Sequence, residues 1–144
     1  MARNRRYIDA SPERVFAVLA DAPAYGEWVV GSKHIRDADA TFPAPGSCFH
    51  HTIGIGPIAL RDHTEVLESD PPRRLRLRAR ARPLGSATVT LDLAAERHGT
   101  LVTMIEDPSG FTAPLRFLPV THLLTRLRNA ESLRRLKALV ERRG

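Results

Sequence analysis

Cys48 is the only cysteine in 144 residues. A lone cysteine closes no intrachain disulfide, so nothing in the chain points to an oxidising compartment. Aromatic residues make up only 6%, with Trp28 the single tryptophan. There is no RNP-like aromatic motif, zinc knuckle or helix-turn-helix pattern, so no specific nucleic-acid partner is expected. Long apolar runs are missing too. Nothing approaches the roughly 20 residues that span a bilayer, so no integral membrane segment is expected. The opening MARNRRYIDAS is basic but has no apolar region behind it, which argues against a secretory signal. A cytoplasmic location is the expectation. Internal repeats and low-complexity tails are also absent.

What the chain does have is positive charge and enough apolar side chains for a core. It carries 22 Lys and Arg against 16 Asp and Glu, a net charge of +6, and 42% of its residues are hydrophobic. Only Lys33 and Lys137 are lysines. The excess fits either an acidic partner or the arginine-rich composition of a GC-rich genome. The length fits one domain, residues 1–144.

Arg5–Asp9 reads as a short extended segment. In SPERVFAVLAD, Ser11 is a good N-cap and Pro12 sits at the first helical position, with Val15, Phe16 and Leu19 at helical spacing. DAPAYGEW restarts as a second short helix that Gly31 ends. The period then changes to two. Strands are predicted over Lys33–Ala40, Cys48–Ile55, Ile58–Ser69, Arg73–Arg82, Ala87–Glu96 and Thr100–Glu106. The separators PAPG, GIGP, SDPP, RPLG, RHG and DPSG are turn chemistry, so successive strands are antiparallel neighbours. A long helix begins near Pro119. Val120, Leu123, Leu124 and Leu127 lie on one side of it. Leu133, Leu136 and Val140 lie nearly opposite, on a face that begins with His122, Arg126 and Asn129. Such a helix is kinked or uses both faces. Its second apolar patch is a candidate homodimer contact.

This order is an α+β layer plan, β-α-α-β-β-β-β-β-β-α. Together with IDASPERVFAVLAD, YGEWVVG, FPAPGSCFHHTIGIGP, TEVLESDPPRRLRLRARARPLG, GTLVTMIEDPSG and RNAESLRRLKALVE, it resembles the START-like, helix-grip superfamily (SRPBCC). Within it, the chain is similar to the bacterial polyketide cyclase/dehydrase and lipid-transport branch. The resemblance spans essentially the whole chain. It implies a curved seven-stranded antiparallel sheet wrapped around a long C-terminal helix, with an elongated, mostly apolar cavity between them. Members bind lipids, sterols or polyketides, and only some are enzymes, so the fold does not name the function.

Within SCFHHTIGIG, strand alternation sends His50 and His51 to opposite faces. Phe49, His51, Ile53 and Ile55 are placed inward, and Cys48, His50 and Thr52 outward. Two ligands at i and i+2 do not make a zinc site, so no metal is expected. No cofactor is expected either. GIGPIA matches a dinucleotide fingerprint only in letters, because Pro57 follows where a helix must start. His51 suits either an acid/base role or that of a satisfied cavity-lining histidine. Glu106, sharing a face with Val102 and Met104, is either a buried acid/base carboxylate or a rim carboxylate paired with arginine. In Ile58–Ser69 the set Leu60, Asp62, Thr64 and Val66 is placed inward, bringing Asp62 near His51. In RRLRLRARAR, Leu75, Leu77, Ala79 and Ala81 point in and five arginines, Arg74 to Arg82, point out. That ribbon is either an anionic-lipid or phosphate contact or a solvated face paired with Asp92, Glu96 and Glu65.

The expected ligand-binding residues are Trp28, Phe49, His51, Ile53, Leu77, Val89 and Leu91 from the first helices and strands. Met104, Glu106, Phe111, His122, Arg126 and Asn129 complete the set. His51 and Glu106 are the catalytic candidates. The leading expectation is binding of a small hydrophobic molecule of polyketide, lipid or sterol type. The alternatives are a polyketide cyclase, aromatase or dehydratase, and a basic surface module acting through Arg74–Arg82.

Overall fold

A computed structural model describes residues 2–55, 57–80, 86–109 and 119–143, leaving aside the side chains of Lys33, Ile53, Ile55, Ile58, Ser109, Pro119, Val120 and Thr121. Strand β1 (Ala2–Ile8) leads into helix α1 (Pro12–Leu19). The Ser11 hydroxyl accepts a hydrogen bond from the Arg14 backbone N–H at 3.2 Å, and Pro12 opens the helix where its missing donor costs nothing. Val15, Phe16, Val18 and Leu19 form its buried stripe. The chain tightens through a 3-10 turn at Ala22–Ala24 into the single-turn helix α2 (Tyr25–Trp28). So short a helix is held by its packing. Tyr25 and Trp28 are buried with ring centroids 5.0 Å apart, and the Tyr25 hydroxyl donates to the Leu19 carbonyl at 2.6 Å.

Six strands follow: β2 (Ser32–Ala38), β3 (Cys48–Ile55), β4 (Ile58–Asp70), β5 (Arg74–Arg80), β6 (Ser86–Glu96) and β7 (Gly99–Ser109). They form one antiparallel sheet in the order β1-β7-β6-β5-β4-β3-β2. Strands β2 to β7 are successive hairpin neighbours, and β1 closes the array beside β7. Register shifts in β2–β3 and β4–β5 mark where the sheet bends. At the β6–β7 turn, a Cβ on Gly99 would lie 2.3 Å from the Ile8 carbonyl oxygen, so only glycine lets β1 approach.

The inner face follows the alternation. Phe49 and His51 of β3, Asp62, Thr64 and Val66 of β4, and Leu75 and Leu77 of β5 are buried. So are Leu91 and Leu93 of β6 and Val102, Met104 and Glu106 of β7. Ala79 is half-buried, and Ala81 lies outside the described residues. Several predicted boundaries move by one or two residues, and two move by three. β1 begins at Ala2, ahead of the predicted Arg5, and β7 runs past Glu106 through Asp107, Pro108 and Ser109, where a turn was expected. β1 pairs only as far as Ala2 opposite Glu106. Beyond that point β7 has no strand partner on that side among the described residues, and there a proline's missing donor is tolerated.

Helix α3 (Pro119–Arg143) packs on β1, α1 and α2. Leu133, Leu136, Leu139 and Val140 bury its second half. Polar ties fix its position: Val30 N–H donates to Ser132 Oγ at 3.0 Å, Asp9 N–H to Glu141 Oε2 at 2.9 Å, and Asn4 Nδ2 to the Arg126 carbonyl at 3.0 Å. Leu123, Leu124 and Leu127 of its first half are exposed.

Candidate functional site

The polar groups of the inner face fall at two places. The first is on β3 and β4. His51 stands opposite Asp62 in the register, and the residue is only 3% exposed. Its ring meets Phe49, centroids 5.8 Å apart, and Phe49 joins Tyr25 and Phe42 in an aromatic cluster. Among the described residues neither imidazole nitrogen finds a hydrogen-bond partner of normal geometry. Burial disfavours the imidazolium and lowers the His51 pKa, although the His63 backbone and the Asp62 carboxylate pull the other way. His51 is therefore neutral at neutral pH, with one nitrogen a donor and the other an acceptor.

The surroundings of His51 are tied down. Arg36 Nη2 donates to the His51 carbonyl at 3.3 Å and to the Asp62 carbonyl at 3.1 Å. The Asp62 carboxylate accepts from the His63 backbone N–H at 2.9 Å. On the opposite face of the same strands His50 stacks near His63, ring centroids 5.9 Å apart, and Cys48 pairs with Glu65 in the register. Burial, with Asp39 and Glu65 nearby, pushes the Cys48 thiol up, which keeps it a thiol rather than a nucleophilic thiolate. Among the described residues no group of three His, Cys, Asp or Glu side chains is placed to hold a metal ion.

The second place is where β7 meets α3. Glu106 is buried and ion-paired to Arg128, whose guanidinium also donates to Asn129 Oδ1 at 3.3 Å. Asn129 is itself buried, and its Nδ2 has no partner among the described residues. The Trp28 indole Nε1 is likewise buried without one. Glu106 is thus buried, as in the first of the two alternatives set out for it, and paired with an arginine, as in the second. Arg128 and Arg36 were not anticipated. Both act on residues far away in sequence, and neither sits in a pattern that would single it out.

Of the remaining expected ligand residues, Leu77, Leu91 and Met104 are buried on the inner face, and Val89 is half-buried against the same core. His122 is half-buried. Arg126 is exposed, and its carbonyl accepts from Asn4 Nδ2. The backbone of Ile53 lies in β3 opposite Leu60, with its side chain outside the described set. Phe111 lies outside the described residues altogether. On the outer face Arg74 bonds Asp92 at 2.6 Å and reaches Glu68 at 3.8 Å, and Arg78 stands opposite Glu65, so the ribbon is partly neutralised by its neighbours.

Residues 2–141 match the family described as polyketide cyclase / dehydrase and lipid transport. The chain belongs to this family. Its fold is the helix-grip fold of the START-like (SRPBCC) superfamily. Among solved structures it is similar to protein CV1439 from Chromobacterium violaceum, at 22% identity and TM-score 0.75, covering 96% of this chain and 95% of that one. Protein NE0264 from Nitrosomonas europaea is 16% identical at TM-score 0.74, covering 99% and 94%. TTHA0849 from Thermus thermophilus is 18% identical at TM-score 0.72, covering 99% and 98%. Comparison with curated proteins returns no match. At these identities the solved structures speak for the fold alone. Among the described residues no helix is long and apolar enough to cross a membrane.

Proposed function

We propose that this chain binds a small, uncharged hydrophobic molecule carrying a hydroxyl or carbonyl group, held in a cavity between the inner face of the sheet and α3. The observation that carries this reading is His51: a neutral, buried imidazole against Phe49 and opposite Asp62, with neither nitrogen in a hydrogen bond of normal geometry among the described residues. Leaving a buried polar group unsatisfied costs about 1–3 kcal/mol, which a ligand oxygen would recover. Trp28 Nε1 and Asn129 Nδ2 are two further buried donors that such a ligand could meet. The Glu106–Arg128 pair is internally neutralised, so an ionised ligand gains no net counter-charge there. The family's description, which includes lipid transport, supports a hydrophobic ligand. Native mass spectrometry of the purified protein mixed with extracted metabolites tests the reading. A retained adduct of hydroxylated or keto character is expected. Failure to retain any lipid or polyketide pool contradicts it.

A second reading is that the same site is enzymatic, a cyclase or dehydratase. The neutral His51 opposite Asp62 favours it, since an imidazole with a depressed pKa can accept a proton at neutral pH. His51→Ala separates the two: lost turnover with retained binding means catalysis, and lost binding means recognition.

A further inference from the structure

The packed stripe of α3 changes character along its length. Leu133, Leu136 and Val140 carry it through the second half, and the same spacing run backward meets Ser132, Asn129, Thr125 and His122. Ser132 and Asn129 are as buried as the leucines, and Thr125 and His122 are half-buried. Ser132 Oγ has a partner, the Val30 N–H. Asn129 has one for only one end of its carboxamide. Its Oδ1 accepts from Arg128 Nη2 at 3.3 Å and from Nε at 3.4 Å, and Glu106 holds the same guanidinium. A guanidinium has donors and no acceptor, so the carboxamide can lie against it only with its oxygen turned that way. Its NH2 group is thereby turned away from the ion pair. That group sits in a residue only 1% exposed and meets no acceptor among the described residues. Packing alone would be served by another leucine, as at Leu133 one turn on, and a buried donor without an acceptor costs stability.

We propose that Glu106 and Arg128 are positioning residues that hold the Asn129 NH2 group ready to bind a neutral carbonyl oxygen of the ligand. The inference rests on the reading of the interior as a ligand site, and it gives that ligand a second oxygen besides the one at His51. The chemistry of the donor selects the carbonyl. An amide NH2 donates and does not accept, so a ligand hydroxyl would bring a proton that finds no lone pair on Nδ2. The Arg128 charge is already answered by Glu106, so a carboxylate finds no uncompensated cation there. Trp28 Nε1 is a donor of the same kind, buried and without a partner among the described residues. The Val30–Ser132 bond brings the end of its helix against the next turn of α3. Glu106 then serves the site without touching the ligand or moving a proton.

The test compares 6-acetyl-2-naphthol with 6-ethyl-2-naphthol, which differ only in the carbonyl. Affinities are read by calorimetry, and the side-chain NH2 signals of Asn129 by NMR. The acetyl compound is expected to bind about tenfold tighter and to move those signals. In Asn129→Leu the advantage should vanish while the ethyl compound binds as before. Glu106→Gln combined with Arg128→Met removes the pair without leaving a buried charge. It should cut the advantage several-fold and leave the affinity for the ethyl compound nearly intact, a selectivity that a loss of structure does not produce. Arg128→Lys, with Glu106 kept, should retain much of the advantage. Three results overturn the inference and leave the interior site standing: equal binding of the two compounds, an advantage that survives Asn129→Leu, or equal losses for both compounds in the double variant. If these variants melt well below the parent, the parent's Asn129 signals decide, and signals unmoved by the acetyl compound overturn it. If neither compound binds, and 2-naphthol does not either, the reading of the interior fails and this inference with it.

Discussion

His51 and Glu106 both bring a titratable side chain to the inner face of the same sheet, and they end in opposite states. Glu106 is answered from within the chain, by Arg128 and through it by Asn129. His51 has the His63 backbone and the Asp62 carboxylate nearby, yet makes no hydrogen bond of normal geometry among the described residues. The difference teaches which of the two is occupied by structure. A paired carboxylate joins β7 to α3 whether or not a ligand is present. An unpaired imidazole gains only when something else arrives.

Four experiments bear on this contrast. The largest effect is expected at His51. Replacing it by Leu removes two buried nitrogens that lack a hydrogen bond of normal geometry among the described residues and should raise stability by about 1–3 kcal/mol in denaturant unfolding. A loss of similar size would mean that His51 is already satisfied. The next is the pH dependence. The folded-state pKa of His51 is below the ordinary value near 6.5, so below that pH the unfolded chain takes a proton the folded chain refuses. Its contribution is complete above about pH 7 and is lost as pH falls. The stability gap between His51→Leu and the parent should therefore widen between about pH 7 and pH 5. A constant gap would contradict the depressed pKa. At the other locus, Glu106→Gln should cost no more than about 1 kcal/mol, because Arg128 is 42% exposed and water screens the pair. A larger loss would show that the pair is sealed from solvent. The smallest effect concerns an ion pair with no role in the site. Glu131, held by Arg134 and Arg135, should titrate near its lowered value of about 2 in a carboxyl NMR series, and ligand should not move it.

Much of the inner face could be read from alternation alone. Cys48–Ile55 and RRLRLRARAR name their buried sides because strand geometry has a period of two, and the placing of Asp62 across from His51 follows once β3 and β4 form a tight hairpin. The opposed faces of α3 were visible in helical spacing. What could not be read depends on contacts across the chain. Arg128 reaches Glu106 from 22 positions away, and Arg36 spans β3 and β4 by bonding two carbonyls. The run of β7 through Pro108 depends on where β1 stops pairing. That His51 makes no hydrogen bond of normal geometry among the described residues is a property of its surroundings in three dimensions, and no local pattern carries it.

The most direct test of the account uses three matched aryl probes: 2-naphthol, naphthalene and 2-naphthoate. Binding is followed by calorimetry together with the ring-nitrogen NMR shifts of His51. The account predicts that 2-naphthol binds best, that it moves the His51 nitrogens, and that its advantage over naphthalene disappears in His51→Phe. Equal binding of naphthol and naphthalene with unmoved His51 nitrogens, or a preference for the carboxylate, would contradict it.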